Sequence, residues 1–232
     1  MTVRPWCALL GSLVLALVGA GCVGTPIPQP PALDPPDADL IRHEDFGTFA
    51  QLVGEAGAVV PGATLWAVNL DGTLDPETTV AEADGSFMLS FFAIPGHEVR
   101  VQARDGDDRS RPVDLLVPRG EVVRATEGCL ALEPALEVRL AAAVAVGASE
   151  TRVVRVSNRC AGEAVFDVTL RRPSDAWRVV TPGPFSVPSG GAADVEVAFA
   201  PLSAGLHEEI VFLALSAPAL DRRPITLSGE GR

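Results

Sequence analysis

Few residues in this chain have the type and spacing that chemistry requires. The three histidines, His43, His97 and His207, lie far apart in sequence. His207-Glu208-Glu209 opens like a zinc helix, but Ile210 and Val211 follow and the second histidine is missing. Asp105-Gly106-Asp107-Asp108 clusters carboxylates that suit a hard cation, without the twelve-residue loop or its closing glutamate. A solvated turn is the simpler expectation there. No Gly-x-Ser-x-Gly elbow occurs, and a chain without lysine cannot build a Walker loop. We therefore expect no catalytic residues, no metal site and no cofactor. What remains is four cysteines: Cys7 and Cys22 near the start, Cys129 and Cys160 in the second half.

These residues need elements to hold them, and the pattern is β throughout. Val195, Val197 and Phe199 alternate with Asp194, Glu196 and Ala198, the period of a half-buried strand. Pro201 ends that strand, Gly205 turns the chain, and Ile210 to Leu215 returns. Val99, Val101 and Ala103 alternate with Arg100, Gln102 and Arg104, which reads as one face in and one face out. Pro61-Gly62, Asp71-Gly72, Asp84-Gly85 and Pro95-Gly96 punctuate the earlier segments. No segment sustains a helical period. The predicted class is all-β, with two small β-sandwich domains in tandem, over residues 47–118 and 129–232. A polar linker at 119–128 is short enough to predict modules that stack rather than swing.

The formal net charge is −12, and every one of the 18 basic residues is arginine. Phosphate neutralisation by cations supplies much of nucleic-acid affinity, so this balance argues against a nucleic-acid partner. It suits a solvated surface instead.

Residues 1–21 read as a signal peptide: Arg4, then an apolar run from Trp6 to Ala20, too short for a membrane span. The segment Leu17-Val18-Gly19-Ala20-Gly21-Cys22 resembles the lipobox of bacterial lipoproteins, with Gly19 where the family usually has leucine. That resemblance implies lipidation of Cys22, a membrane attachment through the acyl chains and, with Val23 rather than Asp next, the outer membrane. An ordinary cleavable leader is the alternative. Residues 22–46 then form a lipidated cysteine and a disordered, Pro-rich tether that tends to polyproline II and buries no core. On this reading His43 lies in a linker, and His97 and His207 in turn regions.

Two further resemblances cover the folded part. GAVVPGATLWAV, ADGSFMLSF and IPGHEVRVQARD resemble the carboxypeptidase regulatory-like (transthyretin-like) domain, which implies a seven-stranded accessory sandwich. RVVRVSNRCAGEAVFDVTL, the Pro188-Ser189-Gly190-Gly191 turn, Phe199-Ala200-Pro201 and PITLSGEG resemble the abnormal-spindle/hydin-like (choice-of-anchor) immunoglobulin-like family, which implies a non-catalytic binding or spacer domain. In such a sandwich Cys129, before the first strand, and Cys160, after the second, share one end. An oxidising compartment then permits a disulfide between them, two unpaired thiols being the alternative. The sum of these readings is a non-enzymatic envelope lipoprotein that binds, adheres or scaffolds, with an envelope protein or glycan as partner. An accessory subunit presenting glycan or peptide to a separate enzyme, a cryptic hydrolase and a pure spacer are the competing expectations.

Overall fold

The two-residue period builds seventeen strands and a single 3-10 turn among the described residues. The computed structural model describes residues 33–45, 49–117, 129–181, 183–218 and 220–232. The signal peptide, Cys22, most of the tether and the linker at 119–128 lie outside them.

The first module contains β1 (Ile41–Asp45), β2 (Phe49–Gly54), β3 (Thr64–Asn69), β4 (Glu77–Val80), β5 (Phe87–Phe92), β6 (Glu98–Asp105), β7 (Asp108–Arg109) and β8 (Val113–Leu116). One sheet has the order β1-β2-β5. The other runs β4-β3-β6-β7, with β8 also paired to β6. Leu52, Leu65, Phe87, Leu89, Val99 and Val101 fill the space between the two sheets. A glycine is required at Gly85, where φ is +83° and a Cβ would press into the Val59 carbonyl.

The tether boundary moves. The sequence assigns residues 22–46 to a spacer, yet Ile41–Asp45 pairs antiparallel with Phe49–Gly54, and Ile41 is buried. Ala38 and Leu40 pack on the same core. Six prolines upstream mask a short apolar stretch, Leu40-Ile41, whose burial is enough to recruit the strand. His43 is thus a strand residue, not a linker residue.

The second module contains β9 (Leu130–Glu133), β10 (Glu137–Arg139), β11 (Glu150–Asn158), β12 (Ala164–Leu170), β13 (Trp177–Val179), β14 (Phe185–Val187), β15 (Ala192–Phe199), β16 (Gly205–Ala217) and β17 (Asp221–Gly231). Its sheets run β13-β15-β11-β9 and β10-β17-β16-β12-β14, an immunoglobulin-like β-sandwich. All pairings are antiparallel except β10 with β17. Val154, Val156, Phe166, Trp177, Val197, Phe199, Leu213 and Ile225 form the core. His207 falls on β16, because that strand begins at Gly205 rather than at Ile210.

The structure joins Cys129 to Cys160, with Cα atoms 4.7 Å apart across a separation of 31 residues. Asn158, buried beside them, donates to the Gly162 and Val187 carbonyls and accepts from the Cys160 amide. Closing a loop of that length restricts the unfolded chain by about 3–4 kcal/mol. Urea unfolding with and without reductant should therefore show a stability loss of about that size on reduction; an unchanged midpoint would refute the contribution.

Candidate functional site

The sequence reads β6 as one face in, one face out. The structure buries both. Val99, Val101 and Ala103 face the first module's core, but Arg100 and Gln102 are each only 1% exposed. Their face of the sheet packs against β16 and β17 of the second module. Trp66, Val68 and Leu70 meet Ile210 and Phe212 there in a separate apolar cluster. The supposed solvent face of one sandwich is thus the junction between two, as the short linker led us to expect.

Arginines stitch this junction. Arg100 forms a two-pronged pair with Asp114 of its own module, Nε to Oδ1 at 2.7 Å and Nη2 to Oδ2 at 2.9 Å. Its remaining donors cross to the Pro224 carbonyl at 3.0 Å and the Thr226 hydroxyl at 3.3 Å. Arg104 reaches Glu208 at 2.9 Å and lies over the Trp66 ring at 4.3 Å. Arg109 bridges Glu137 and Glu208. In the opposite direction, Arg222 binds Asp71 and Glu98, each at 2.7 Å. Arg171 donates to the Asn69, Gly72 and Leu74 carbonyls. Arg172 binds Asp75 and the Thr73 carbonyl while also holding the buried Glu209.

Only arginine suits this work: its planar fork serves several acceptors at once, and its charge survives desolvation. Burial pushes the Arg104 and Arg171 guanidiniums down from their ordinary value, with Glu208 and Glu209 respectively opposing the shift. Burial also opposes the Arg222 charge, yet its bonds to Asp71 and Glu98 outweigh that and hold its pKa up.

Beside the junction opens a cleft of about 710 Å³, whose lining includes Trp66, Asp75, Arg104, Arg172, His207 and Glu208. Here His207 stands in one lining with several acids. Glu208 is held by Arg104 and Arg109, Glu209 by Arg171 and Arg172, and Asp75 by Arg172. The His207 Nε2 proton goes to the Ser203 carbonyl at 2.9 Å. Among the described residues, no group of three or more His, Cys, Asp or Glu is placed to hold a metal ion. The Asp105–Asp108 turn is a tight hairpin, Asp105 opposite Asp108, and the Asp107 carbonyl accepts from Arg139 of the second module. His97 accepts from Asn69 through Nδ1 at 3.0 Å.

The candidate residues read from sequence are therefore not brought together. His43, His97 and His207 sit on β1, before β6 and on β16; Cys129 and Cys160 bond at one sandwich end; Cys22 lies outside the described residues. The missed set is the arginines. Their signal was present in the complete replacement of lysine by arginine and in the Arg-x-Gln-x-Arg spacing of β6.

The titrations of His43 and Asp71 make the stability depend on pH. Both ring nitrogens of His43 are buried and have no hydrogen-bond partner among the described residues, and that burial lowers its pKa below 6.5. The unfolded chain then takes the proton first, so stability falls as pH drops below about 6.5, until the folded pKa is passed. Burial opposes ionisation of Asp71, but its bonds to Arg222 and the Glu98 amide win and lower its pKa below 3.8. Its contribution is present above that value and is lost as pH falls through the folded pKa. Unfolding curves between pH 7.5 and 5 should show the His43 loss in the natural chain and not in His43→Leu; parallel curves would contradict the assignment.

No protein-family model and no curated protein matches the chain. Among solved structures it is similar to the ASH/PapD-like domain 7 of human CEP192, with a TM-score of 0.40 and 11% identity over 45% of this chain and 85% of that one. It is similar to a Porphyromonas gingivalis W83 protein of unknown function, at 0.36 and 15% over 85% and 99%. It is also similar to WR4, a C. elegans MSP family member, at 0.33 and 11% over 44% and 97%. The sandwich assignment rests on the strand pairings themselves.

Proposed function

We propose that this chain is a non-enzymatic cell-envelope lipoprotein, lipidated at Cys22 and held at the bacterial outer membrane. Its two modules, a carboxypeptidase regulatory-like sandwich and an abnormal-spindle/hydin-like one, act together as a binding, adhesion or scaffold unit. The arginine-stitched junction carries this reading. General acid–base catalysis needs groups free to exchange protons with a substrate. Of the acids on the cleft lining, Glu208 and Asp75 are engaged across the two modules, and Glu209 holds Arg171 and Arg172, which reach across to the first module; Asp175 is the remaining one. That is an investment in fixed geometry, which a scaffold needs. The tether and acyl anchor give the unit reach and a membrane address.

The test is crosslinking on intact cells followed by pull-down from the envelope, beside a Cys22→Ala form. The proposal expects the natural protein in the outer-membrane fraction with a reproducible partner, and both lost in Cys22→Ala. A protein that fractionates identically in the two forms, or that hydrolyses a substrate when purified alone, would overturn it. The cleft favours a second reading, an accessory subunit presenting glycan or peptide to a separate enzyme. Leu202 and Leu206 stand on its lining, 70% and 59% exposed, where an apolar ligand segment would find them. Hydrolase activity copurifying with the natural chain, and lost on substituting both leucines by serine, would select that reading.

A further inference from the structure

A second cleft, of about 620 Å³, adjoins the one beside His207. Its lining includes Asp107, Arg109, Arg139, Leu140 and Glu230. Leu206 stands on both linings, so the two clefts meet across its side chain. Strand pairing sets Leu206 directly opposite Glu230. More than half of the Leu206 surface is open, and Leu202 on the first lining is more open still. Every arginine on the two linings already holds a carboxylate. Arg104 holds Glu208, Arg172 holds Asp75 and Glu209, Arg109 holds Glu137 and Glu208, and Arg139 holds Asp107. Asp175 on the first lining and Glu230 on the second are exposed, and neither has an ion-pair partner among the described residues. The uncommitted charge is therefore acidic, one carboxylate in each cleft, with an open leucine shared between them.

We propose that the two clefts form one groove for an extended segment of a partner protein, whose inward face reads cationic, apolar, cationic. Alternate residues of an extended chain share a face, so Lys-x-Leu-x-Lys presents that pattern. Its lysines meet Asp175 and Glu230, and its leucine rests on Leu206. Complementary charge of this kind fixes which partners dock and in what register. The other occupants fit less well. An anionic ligand finds no uncommitted cation on either lining. A saccharide packs its C–H faces on open rings, but Trp66 is 4% exposed beneath the Arg104 guanidinium and the His207 ring leans on Phe199. A second copy of this chain has no lysine and a net charge of −12, which repels its own kind. The inference deepens the accessory reading and rests on its claim that the cleft takes a ligand; the arms of the test separate the two.

The probe is the capped peptide acetyl-Lys-Ser-Leu-Ser-Lys-amide, titrated calorimetrically into the full-length protein in detergent. It should bind, with an affinity that falls as salt is raised. A carbodiimide, which joins carboxylates to amines, should link the peptide to Asp175 and Glu230, since the chain has no lysine to compete. Asp175→Asn/Glu230→Gln should weaken binding about fivefold or more, as the loss of two exposed pairs allows. Leu206→Ser should weaken it as well. Asp194→Asn/Glu196→Gln removes the same charge from exposed positions of β15 that line neither cleft, and should leave the affinity unchanged. Equal binding of the glutamate counterpart of the peptide, of spermidine or of maltohexaose would keep the groove and overturn its cationic, apolar ligand. Equal weakening by the β15 pair would overturn the assignment to Asp175 and Glu230. Binding of none of these probes would overturn the groove itself, and the proposal with it.

Discussion

Replacing Asp114 by alanine is expected to lower stability by about 3–5 kcal/mol, the cost of leaving a buried charge without its partner. Arg100 is nearly inaccessible, and Asp114 supplies both of its anionic contacts. Without the carboxylate the guanidinium keeps only the Pro224 carbonyl and the Thr226 hydroxyl, neither of which carries charge. The loss should be read as a shift in urea midpoint at constant m-value. Arg100→Met should cost less, because Asp114 retains some access to water while methionine still fills the junction. The double variant Arg100→Met/Asp114→Leu should recover much of the Asp114→Ala loss, since well-packed apolar groups in place of a buried ion pair are often close to neutral. Equal costs for both single substitutions would show that the charge is not the issue.

Trp177→Ala is expected to cost about 3–5 kcal/mol, the range for removing a large aromatic from a close-packed core. Trp177 is among the largest fully buried side chains and packs on Phe199 with ring centroids 4.8 Å apart. Its indole Nε1 donates to the His207 carbonyl at 3.2 Å, so the substitution also strands a main-chain acceptor. Trp177→Phe keeps most of the packing and loses the hydrogen bond, and should cost under half as much. Thermal or urea unfolding checks both values. A loss below about 1 kcal/mol for the alanine variant would mean that the core can collapse around the vacancy.

The strands were legible because their signal is local. Alternation in Asp194–Phe199 and Phe87–Phe92, and the Pro-Gly and Asp-Gly turns, place β15, β5 and their neighbours within a residue or two. What was not legible is long-range. Alternation says that Arg100, Gln102 and Arg104 share the face opposite the core, and water is the default occupant of such a face. Only Glu208, Thr226 and Pro224, more than a hundred residues away, make it an interface. The start of β16 at Gly205 was hidden for a related reason. Leu206 to Glu209 shows no alternation because its acids answer arginines elsewhere in the fold, Arg104 on β6 and Arg171 just past β12. Likewise, the prolines around it disguised Ile41 as part of a spacer, although one buried isoleucine and a free edge on β2 suffice to make a strand. The cleft beside His207 exists only because two modules meet, so no single stretch encodes it.

Differential scanning calorimetry of the full chain in detergent tests the stitched junction most directly. One endotherm should include both sandwiches, with equal calorimetric and van't Hoff enthalpies, and Trp177→Ala, a change in the second module alone, should move the whole of it to lower temperature. Two endotherms, or a Trp177→Ala protein whose first module melts at its original temperature, would contradict the account.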